Sequence, residues 1–294
     1  MKHKAILIGR FQIPAMNESC RKLIEAIRKQ HSALVLVLAE PKISASRENP
    51  LPVQSRIAMI KEAFPDIAIH TLKDHPLDDE WSKSLDKLID EISGNGQVMI
   101  YGTRERFINY YSGKHPTSAI PDEKSEDVKV EEESGSISFR RGMVHAASKR
   151  YASVFPTVDV VVFRKGRSEM LLGKKDIDGK WRLIGGFADP SDDGFAAAAK
   201  RELNEECGDI QTTELAYENS FRINDWRYRF EQDKIITTLF STDYVAGTPQ
   251  AQDDVADLDW FSLEAVAEMV KKGETAREHE QMFRFLLKKY GQEP

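Results

Sequence analysis

The sequence predicts two α/β domains of similar size, and three observations support that fold class. A chain of 294 residues is longer than a single hydrophobic core usually serves, since domains rarely exceed ~150–200 residues. Buried-type apolar runs alternate with helical patterns in the first half, which predicts a parallel sheet with right-handed crossovers. A helical pattern over residues 140–152 ends before Pro156, where a β-rich pattern begins. We therefore predict domains over residues 1–150 and 151–294.

In the first half, residues 4–9 form a short apolar run that ends in glycine. Residues 32–39 lack polar alternation, as expected for a strand buried on both faces. Helical patterns at 20–30, 56–64 and 81–92 alternate with further strands at 67–72 and 98–102. Ligands of such sheets bind at the carboxyl ends of the strands. A site is therefore predicted near residues 9–12 and 102–104.

In the second half, a helical pattern over residues 195–207 carries three carboxylates. Glu202, Glu205 and Glu206 stand at i, i+3 and i+4, so they share one face of the helix. Their mutual repulsion would be relieved by a divalent cation, and hard oxygen ligands suit Mg²⁺ or Mn²⁺. For three glutamates alone, the solvated face of an amphipathic helix is the more common explanation. Gly208 follows at the position of a C-cap.

Composition excludes several classes of function. The net charge of −6 argues against a nucleic-acid partner, which normally meets a basic face. No apolar run approaches the ~20 residues of a membrane span, and the apolar start is interrupted by Arg10, unlike a signal peptide. Two cysteines make no disulfide framework. We expect a cytoplasmic protein with a small-molecule partner.

A set of short motifs in the first half occurs in a recognisable order: Gly9-Arg10-Phe11-Gln12, then residues 47–51, 56–60, 78–81, 102–104 and 110–111. Together they resemble nucleotidyltransferases of the nicotinamide mononucleotide adenylyltransferase type, over residues 4–145. The resemblance implies a Rossmann-like domain with a parallel sheet. It also implies nucleotide contacts by Gly9, Arg10, Trp81, Arg104 and Arg140.

The first half departs from that family where two histidines usually hold the triphosphate. Ala15 and Glu18 stand at those positions. Alanine donates no hydrogen bond, and a carboxylate at a helix N-terminus competes with phosphate for the same amides. Losing two donors could cost ~5 kcal/mol of transition-state stabilisation. We predict the adenylyltransferase fold without competent transfer. The alternative explanation of these residues is the start of an ordinary helix that Asn17 caps.

The glutamate helix of the second half is flanked by further signals. Gly185-Gly186 precede it, Asp192 and Asp193 lie in between, and Arg201-Glu202-Leu203-Asn204-Glu205-Glu206-Cys207-Gly208 close the segment. The pattern resembles the Nudix box, with one residue inserted, Asp193 in place of a glutamate and Asp209 in place of an apolar residue. The resemblance implies an α/β/α sandwich.

The same resemblance implies roles for individual residues. Glu202 and Glu206 would be the principal metal ligands, and Glu205 a further ligand or the base for water. Arg201 would orient a glutamate through a salt bridge, and Gly186 would offer its carbonyl to the metal. The implied reaction is attack of water on one phosphorus of a P–O–P linkage, assisted by Mg²⁺ or Mn²⁺.

Motifs beyond the box, at residues 253–256, 260–261 and 278–280, resemble the tail of bifunctional adenylyltransferase/ADP-ribose pyrophosphatases. The basic and aromatic stretch 222–229 suits an anionic nucleotide, although an exposed hairpin would explain it equally well. We expect Arg182, Trp226 and Arg227 to contact substrate. His279 is expected at the surface or an interface rather than as a base.

The leading hypothesis is Mg²⁺-dependent hydrolysis of ADP-ribose, or a related nucleoside-diphosphate compound, to AMP and a sugar phosphate. A homodimer through the Nudix domain is one expected assembly. Two alternatives stay open. The first is a bifunctional enzyme that also makes NAD, and the second is a nucleotide-metabolite sensor with little turnover.

Overall fold

The computed structural model describes residues 3–94, 96–103, 106–120 and 135–291. The chain divides into two compact units. The first comprises Met1–Tyr151 with Phe230–Gln232, and the second comprises Ala152–Arg229 with Asp233–Pro294. Within the described ranges, no helix has the length and apolar character needed to cross a bilayer.

The first unit is built on a parallel sheet, as predicted, and the sheet has a fifth strand in addition to the four that the sequence indicated. Its strands are β1 (Lys4–Gly9), β2 (Ala33–Glu40), β3 (Ala68–Lys73), β4 (Val98–Thr103) and β5 (Thr117–Ile120). They lie in the order β3-β2-β1-β4-β5. The order reverses between β1 and β4, which makes this pair the switch point where doubly wound sheets bind ligands. Both strands end there, at Gly9 and Thr103.

Helices cover both faces of this sheet. Helices α1 (Glu18–Gln30) and α2 (Val53–Ala63) pack on one face, and α3 (Asp78–Ser93) packs on the other. A fourth helix of this unit is α4 (Gly135–Ser148). Because alternate strand residues face opposite sides, Leu7 of β1 packs with Ile24 of α1, whereas Ile8 packs with Leu85 of α3. This two-sided burial explains the continuous apolar runs. Helix α4 begins five residues before the predicted position and ends before residue 152.

The second unit is built on a mixed sheet. Its strands are β6 (Val154–Arg164), β7 (Glu169–Lys175), β8 (Trp181–Arg182), β9 (Ile184–Phe187), β10 (Gln211–Thr212), β11 (Ala216–Ile223), β12 (Lys234–Ala246) and β13 (Val255–Ser262). The main path is β10-β12-β6-β7-β13, with β11 on β12, β8 on β7 and β9 on β6. Strands β6 and β12 are parallel, and the hairpin β6–β7 is antiparallel. Pro156 lies inside β6 rather than before it.

Three helices complete the sandwich: α5 (Phe195–Cys207), α6 (Leu263–Lys272) and α7 (Glu280–Tyr290). Leu203 of α5 packs with Val158 and Val160 on one face of β6. On the opposite face, the ring of Phe163 lies 4.8 Å from that of Tyr290 in α7. The α/β/α arrangement expected from the sequence is therefore confirmed.

Candidate functional site

The glutamates on α5 differ in how far they are buried. The predicted helix bounds are matched, from Phe195 to Cys207. Because Leu203 faces the sheet, the neighbouring Glu202 and Glu206 are carried inward and are buried, Glu206 being only 2% exposed. The side chain of Glu205 is half exposed. One helix face thus presents two buried carboxylates and one in contact with solvent.

Strand β9 brings two glycines against these carboxylates. Gly185 has φ +150°, and a methyl group there would lie 2.1 Å from the carbonyl oxygen of Val158, so only glycine fits. A methyl group on Gly186 would lie 2.6 Å from Oε2 of Glu202. The Gly185 N–H donates to Oε2 of Glu206 at 2.9 Å. The glycine pair therefore lets the backbone and both carboxylates approach closely.

Arg201 ties the site together through its whole guanidinium. Its Nη1 donates to Oε1 of Glu202 at 2.8 Å and to Oε2 of Glu205 at 2.9 Å. Nε and Nη2 each donate to the Asp192 carboxylate at 3.0 Å, and Nη2 also reaches the carbonyl of Phe187 at 2.9 Å. These carboxylates, Asp192 foremost, raise the pKa of Arg201 further above its ordinary value. A single guanidinium nitrogen of Arg201 therefore contacts two of the three glutamates.

The acidic residue before α5 that contacts Arg201 is Asp192. The sequence pattern had placed Asp193 at the glutamate position of the box. The inserted residue therefore falls after the contacting carboxylate, between Asp192 and the helix. The sequence could not distinguish these placements because two aspartates are adjacent.

Glu206 has a cationic neighbour that the sequence did not reveal. Nζ of Lys175, at the end of β7, lies 2.9 Å from Oε1 of Glu206 and 2.5 Å from Oδ1 of Asp254. Burial raises the pKa of Glu206 to about 7, although the Lys175 ammonium and the Gly185 N–H favour the ionised form. Lys175 carried no signal beyond being a lysine at the end of an apolar strand.

The two arginines expected to contact substrate are engaged with carboxylates. Nη2 of Arg182 donates to Oδ2 of Asp178 at 2.5 Å. Arg227 donates to both carboxylate oxygens of Asp225, with the closest contact at 2.6 Å. Its guanidinium also lies 5.2 Å from the ring centroid of Phe187. The positive charges of Arg182 and Arg227 are thus largely neutralised by carboxylates of the protein.

The stretch 222–229 forms the end of β11 and a short 3-10 helix, Trp226–Tyr228. It leads towards β12, which pairs with β11 in antiparallel fashion. Trp226 is half-buried. Tyr228 is buried, with its ring 5.5 Å from that of Phe155. Of these two aromatic residues, Trp226 is the one with surface left to contact a ligand.

His279 differs from its expected surface position. Its side chain is largely buried, and Nδ1 lies 3.4 Å from Oδ1 of Asp159 on β6. Burial lowers the pKa of His279 to about 3 and raises the pKa of Asp159 to about 7. Thr237 donates its hydroxyl to Asp159 at 2.5 Å. His279 lies in the short 3-10 helix Arg277–His279 that precedes α7, and its contact with β6 depends on where this turn meets the sheet, which the sequence does not show.

The donor set around α5 fits a hard divalent cation in its chemistry. Three carboxylates and the Gly186 backbone supply only oxygen atoms, which Mg²⁺ and Mn²⁺ prefer. Within the described ranges, no three His, Cys, Asp or Glu side chains are grouped closely enough to hold a metal ion. In this arrangement Arg201 contacts Glu202 and Glu205, and Lys175 contacts Glu206.

The first unit has a cavity of about 400 Å³ at its switch point. Gly9, Arg10 and Thr103 are among the residues that line it. Arg10 is buried and donates to Asp74 at 2.7 Å and to Asn49 at 3.1 Å. The cavity lies where the strand ends predicted a site. Arg10, which lines it, is already paired with Asp74.

Of the other residues expected to bind nucleotide, Arg140 is buried and held by protein groups. Its Nε donates to the carbonyl of Pro14 at 2.7 Å, and its terminal nitrogens donate to Glu62 at 3.2 and 2.7 Å. Trp81 is buried and stacks on Phe107 with centroids 6.3 Å apart. Arg104 lies outside the described residues.

The helix start that replaces the histidine motif is an ordinary capped one. Asn17 caps α1 by accepting from the N–H of Cys20 at 2.8 Å. The Glu18 side chain is 80% exposed and pairs with Lys22 at 2.6 Å. Its carboxylate is therefore directed to solvent and does not lie over the helix N-terminus. This arrangement agrees with the interpretation of these residues as the start of an ordinary capped helix. Ala15 is buried and offers no side-chain donor.

Some known proteins are similar to the whole chain, and others are similar to its second unit alone. The family model of the NUDIX domain matches residues 154–286, and a search of curated proteins finds no match. Among solved structures, the chain is similar to a bifunctional NMN adenylyltransferase/ADP ribose pyrophosphatase from Francisella tularensis, complexed with AMP and manganese. The identity is 18% with a TM-score of 0.46, over 99% of this chain and 100% of that one.

Two further similarities cover about half of the chain. The NUDIX domain of Shewanella oneidensis NrtR, complexed with ADP ribose, is 22% identical over 47% of this chain and 90% of that one, with a TM-score of 0.40. A MutT protein from Methanosarcina mazei is 19% identical over 49% and 100%, with a TM-score of 0.39. The family match rests on the segment that contains the glycine pair, Arg201 and the three glutamates. The chain therefore carries a NUDIX domain over residues 154–286, and it is an enzyme of the Nudix hydrolase class.

Proposed function

We propose that this enzyme hydrolyses the P–O–P linkage of ADP-ribose, or of a closely related nucleoside-diphosphate compound, in the presence of Mg²⁺ or Mn²⁺. The products would be AMP and ribose 5-phosphate. The observation that carries the proposal is the cluster on α5, where Arg201 contacts Glu202 and Glu205 and where Glu206 is held by the N–H of Gly185.

Each residue of the cluster has a separate task in the proposed reaction. Arg201 keeps Glu202 and Glu205 oriented, and Gly186 leaves room for the Glu202 carboxylate against the backbone. A divalent cation held by these oxygen atoms would supply positive charge to the diphosphate. Glu205, the most exposed of the three, takes the proton of the attacking water. The water oxygen then bonds to phosphorus as the bond to the departing phosphate breaks.

The substrate class follows from the sequence resemblance and from the charge balance near the site. Arg182 and Arg227 are each paired with an aspartate, so they add little net positive charge for a substrate. A triphosphate carries more negative charge than a diphosphate diester and would need free cationic groups. A substrate whose two phosphates lie between two sugars suits the paired arginines better, and the sugars can use the polar groups around them.

We further propose that the first unit binds a nucleotide without transferring an adenylyl group. Its cavity lies at the switch point, but Arg10 and Arg140 are held by Asp74 and Glu62. A bifunctional enzyme would have to release these ion pairs when a triphosphate binds. Slow turnover at both units would instead make the protein a metabolite sensor.

A substrate panel tests the proposal. Purified protein is incubated with Mg²⁺ or Mn²⁺ and with ADP-ribose, NADH, a dinucleoside polyphosphate or a nucleoside triphosphate, and products are separated by chromatography. We expect ADP-ribose to yield AMP and ribose 5-phosphate, with no reaction after chelation. Rapid cleavage of triphosphates with ADP-ribose untouched would refute the substrate. Binding of ADP-ribose without cleavage of any compound would favour the sensor.

A further inference from the structure

Lys175 stands among the proposed metal ligands although no part of the proposed reaction uses it. Its side chain is 17% exposed, and its ammonium lies between Glu206 at 2.9 Å and Asp254 at 2.5 Å. The other oxygen of Glu206 accepts from the N–H of Gly185. Both oxygen atoms of the most buried glutamate are therefore already bound by groups of the protein.

The position of Lys175 sets a condition on cation binding. A divalent cation that shares Glu206 would come close to the ammonium, and like charges repel strongly where water is largely excluded. Either the ammonium leaves Glu206 or the cation binds weakly.

Asp254 provides the ammonium with a second partner. The preceding residue, Asp253, has a left-handed backbone with φ +53°, which is uncommon for a residue other than glycine. The Asp254 side chain is 60% exposed, whereas the Glu206 side chain is 3% exposed. A flexible lysine can thus keep its ion pair with Asp254 while it moves away from Glu206.

We propose that Lys175 is a positioning residue that acts as an internal counterion, occupying Glu206 until a divalent cation displaces its ammonium onto Asp254. This inference rests on the proposed metal-dependent function. It adds that the cation affinity of the site is set by competition with a lysine of the chain. Without a divalent cation, Lys175 supplies one positive charge to the site and keeps the Glu206 carboxylate in contact with Gly185. The same contact lowers the affinity of the site for a divalent cation.

The experiment measures Mn²⁺ binding to the full-length protein without substrate, by calorimetry and by the electron paramagnetic resonance signal of free Mn²⁺. Lys175→Met removes the competing charge and should tighten Mn²⁺ binding by about tenfold, within the usual range for coupled sites. Lys175→Arg keeps a cation and should bind Mn²⁺ within about threefold of the unmodified protein. Lys174→Met is the matched control, because Lys174 lies over the ring of Trp181, and it should leave the affinity unchanged.

A second variant keeps the test decisive if Lys175→Met fails to fold. Asp254→Asn is at an exposed side chain and takes away the alternative partner, so Lys175 should hold Glu206 more firmly and Mn²⁺ should bind several-fold more weakly. Equal or weaker Mn²⁺ binding by Lys175→Met, or unchanged binding by Asp254→Asn, would overturn the inference while the metal site itself stands. If neither the unmodified protein nor any variant binds Mn²⁺ at millimolar concentration, the proposed metal site is overturned as well.

Discussion

Replacing Glu206 by glutamine should remove activity and, at alkaline pH, make the protein more stable. Glu206 is nearly inaccessible to water, and burial raises the pKa of its carboxyl group to about 7 from an ordinary value near 4.5. A raised pKa means that the folded protein holds the proton more tightly than the unfolded chain. The ionised carboxylate therefore costs folding free energy, and this cost grows as the pH rises through about 7.

The magnitude follows from the size of the pKa shift. Each unit corresponds to 1.36 kcal/mol, so the cost should rise by about 2–3 kcal/mol between pH 5 and pH 8. Glutamine has no charge to bury, and Lys175 keeps Asp254 as its partner in the variant. For a unit of this size, the melting temperature of Glu206→Gln relative to the unmodified protein should increase by about 5–10 °C across this pH range.

The assay is thermal denaturation of both proteins at pH 5, 6, 7 and 8 in the presence of a chelator, followed by circular dichroism. Glu205→Gln is the matched control, because it removes a carboxylate of the same helix face whose side chain is half exposed rather than buried. Activity of Glu206→Gln should fall at least ~100-fold, since a neutral amide is a poorer metal ligand. A stability difference that is flat with pH, or largest at pH 5, would refute the reasoning.

Three further predictions concern the rest of the molecule. Arg201→Lys should lower kcat by about 10–100-fold with a smaller change in KM, because one ammonium cannot replace a guanidinium that serves three carboxylates; steady-state kinetics with unchanged kcat would contradict this. At a limiting concentration of Mg²⁺, kcat/KM should rise with pH towards about 7 and then level off, because burial favours the protonated form of Glu206 and only the ionised carboxylate can bind a cation; a flat profile from pH 5.5 to 8 would argue against its role. The first unit should make no NAD from ATP and nicotinamide mononucleotide, whereas Ala15→His with Glu18→His should tighten ATP binding in calorimetry. NAD synthesis by the unmodified protein that persists in Glu206→Gln would instead support the bifunctional enzyme.

The sequence alone was sufficient for the features that depend on neighbouring residues. The parallel sheet of the first unit could be predicted from the alternation of apolar runs and helices, whereas the α/β/α sandwich of the second was implied by its resemblance to the Nudix box. The bounds of α5 agreed with its periodicity. The shared face of Glu202, Glu205 and Glu206 follows from helical geometry at i, i+3 and i+4. The cap at Asn17 was also foreseeable, because capping involves residues within one turn.

Only the tertiary structure decided which charged groups meet across the fold. Lys175 reaches Glu206 from a different strand, and Arg140 finds Glu62 far away in the sequence. His279 is largely buried because the 3-10 turn Arg277–His279 before α7 brings its ring to Asp159 of β6. Spacing along the chain holds no information about such pairs. The partners in these pairs depend on which strands are neighbours and on how each helix is rotated. A buried charge is costly without a counterion, so the charges that the fold buries lie next to groups of opposite charge.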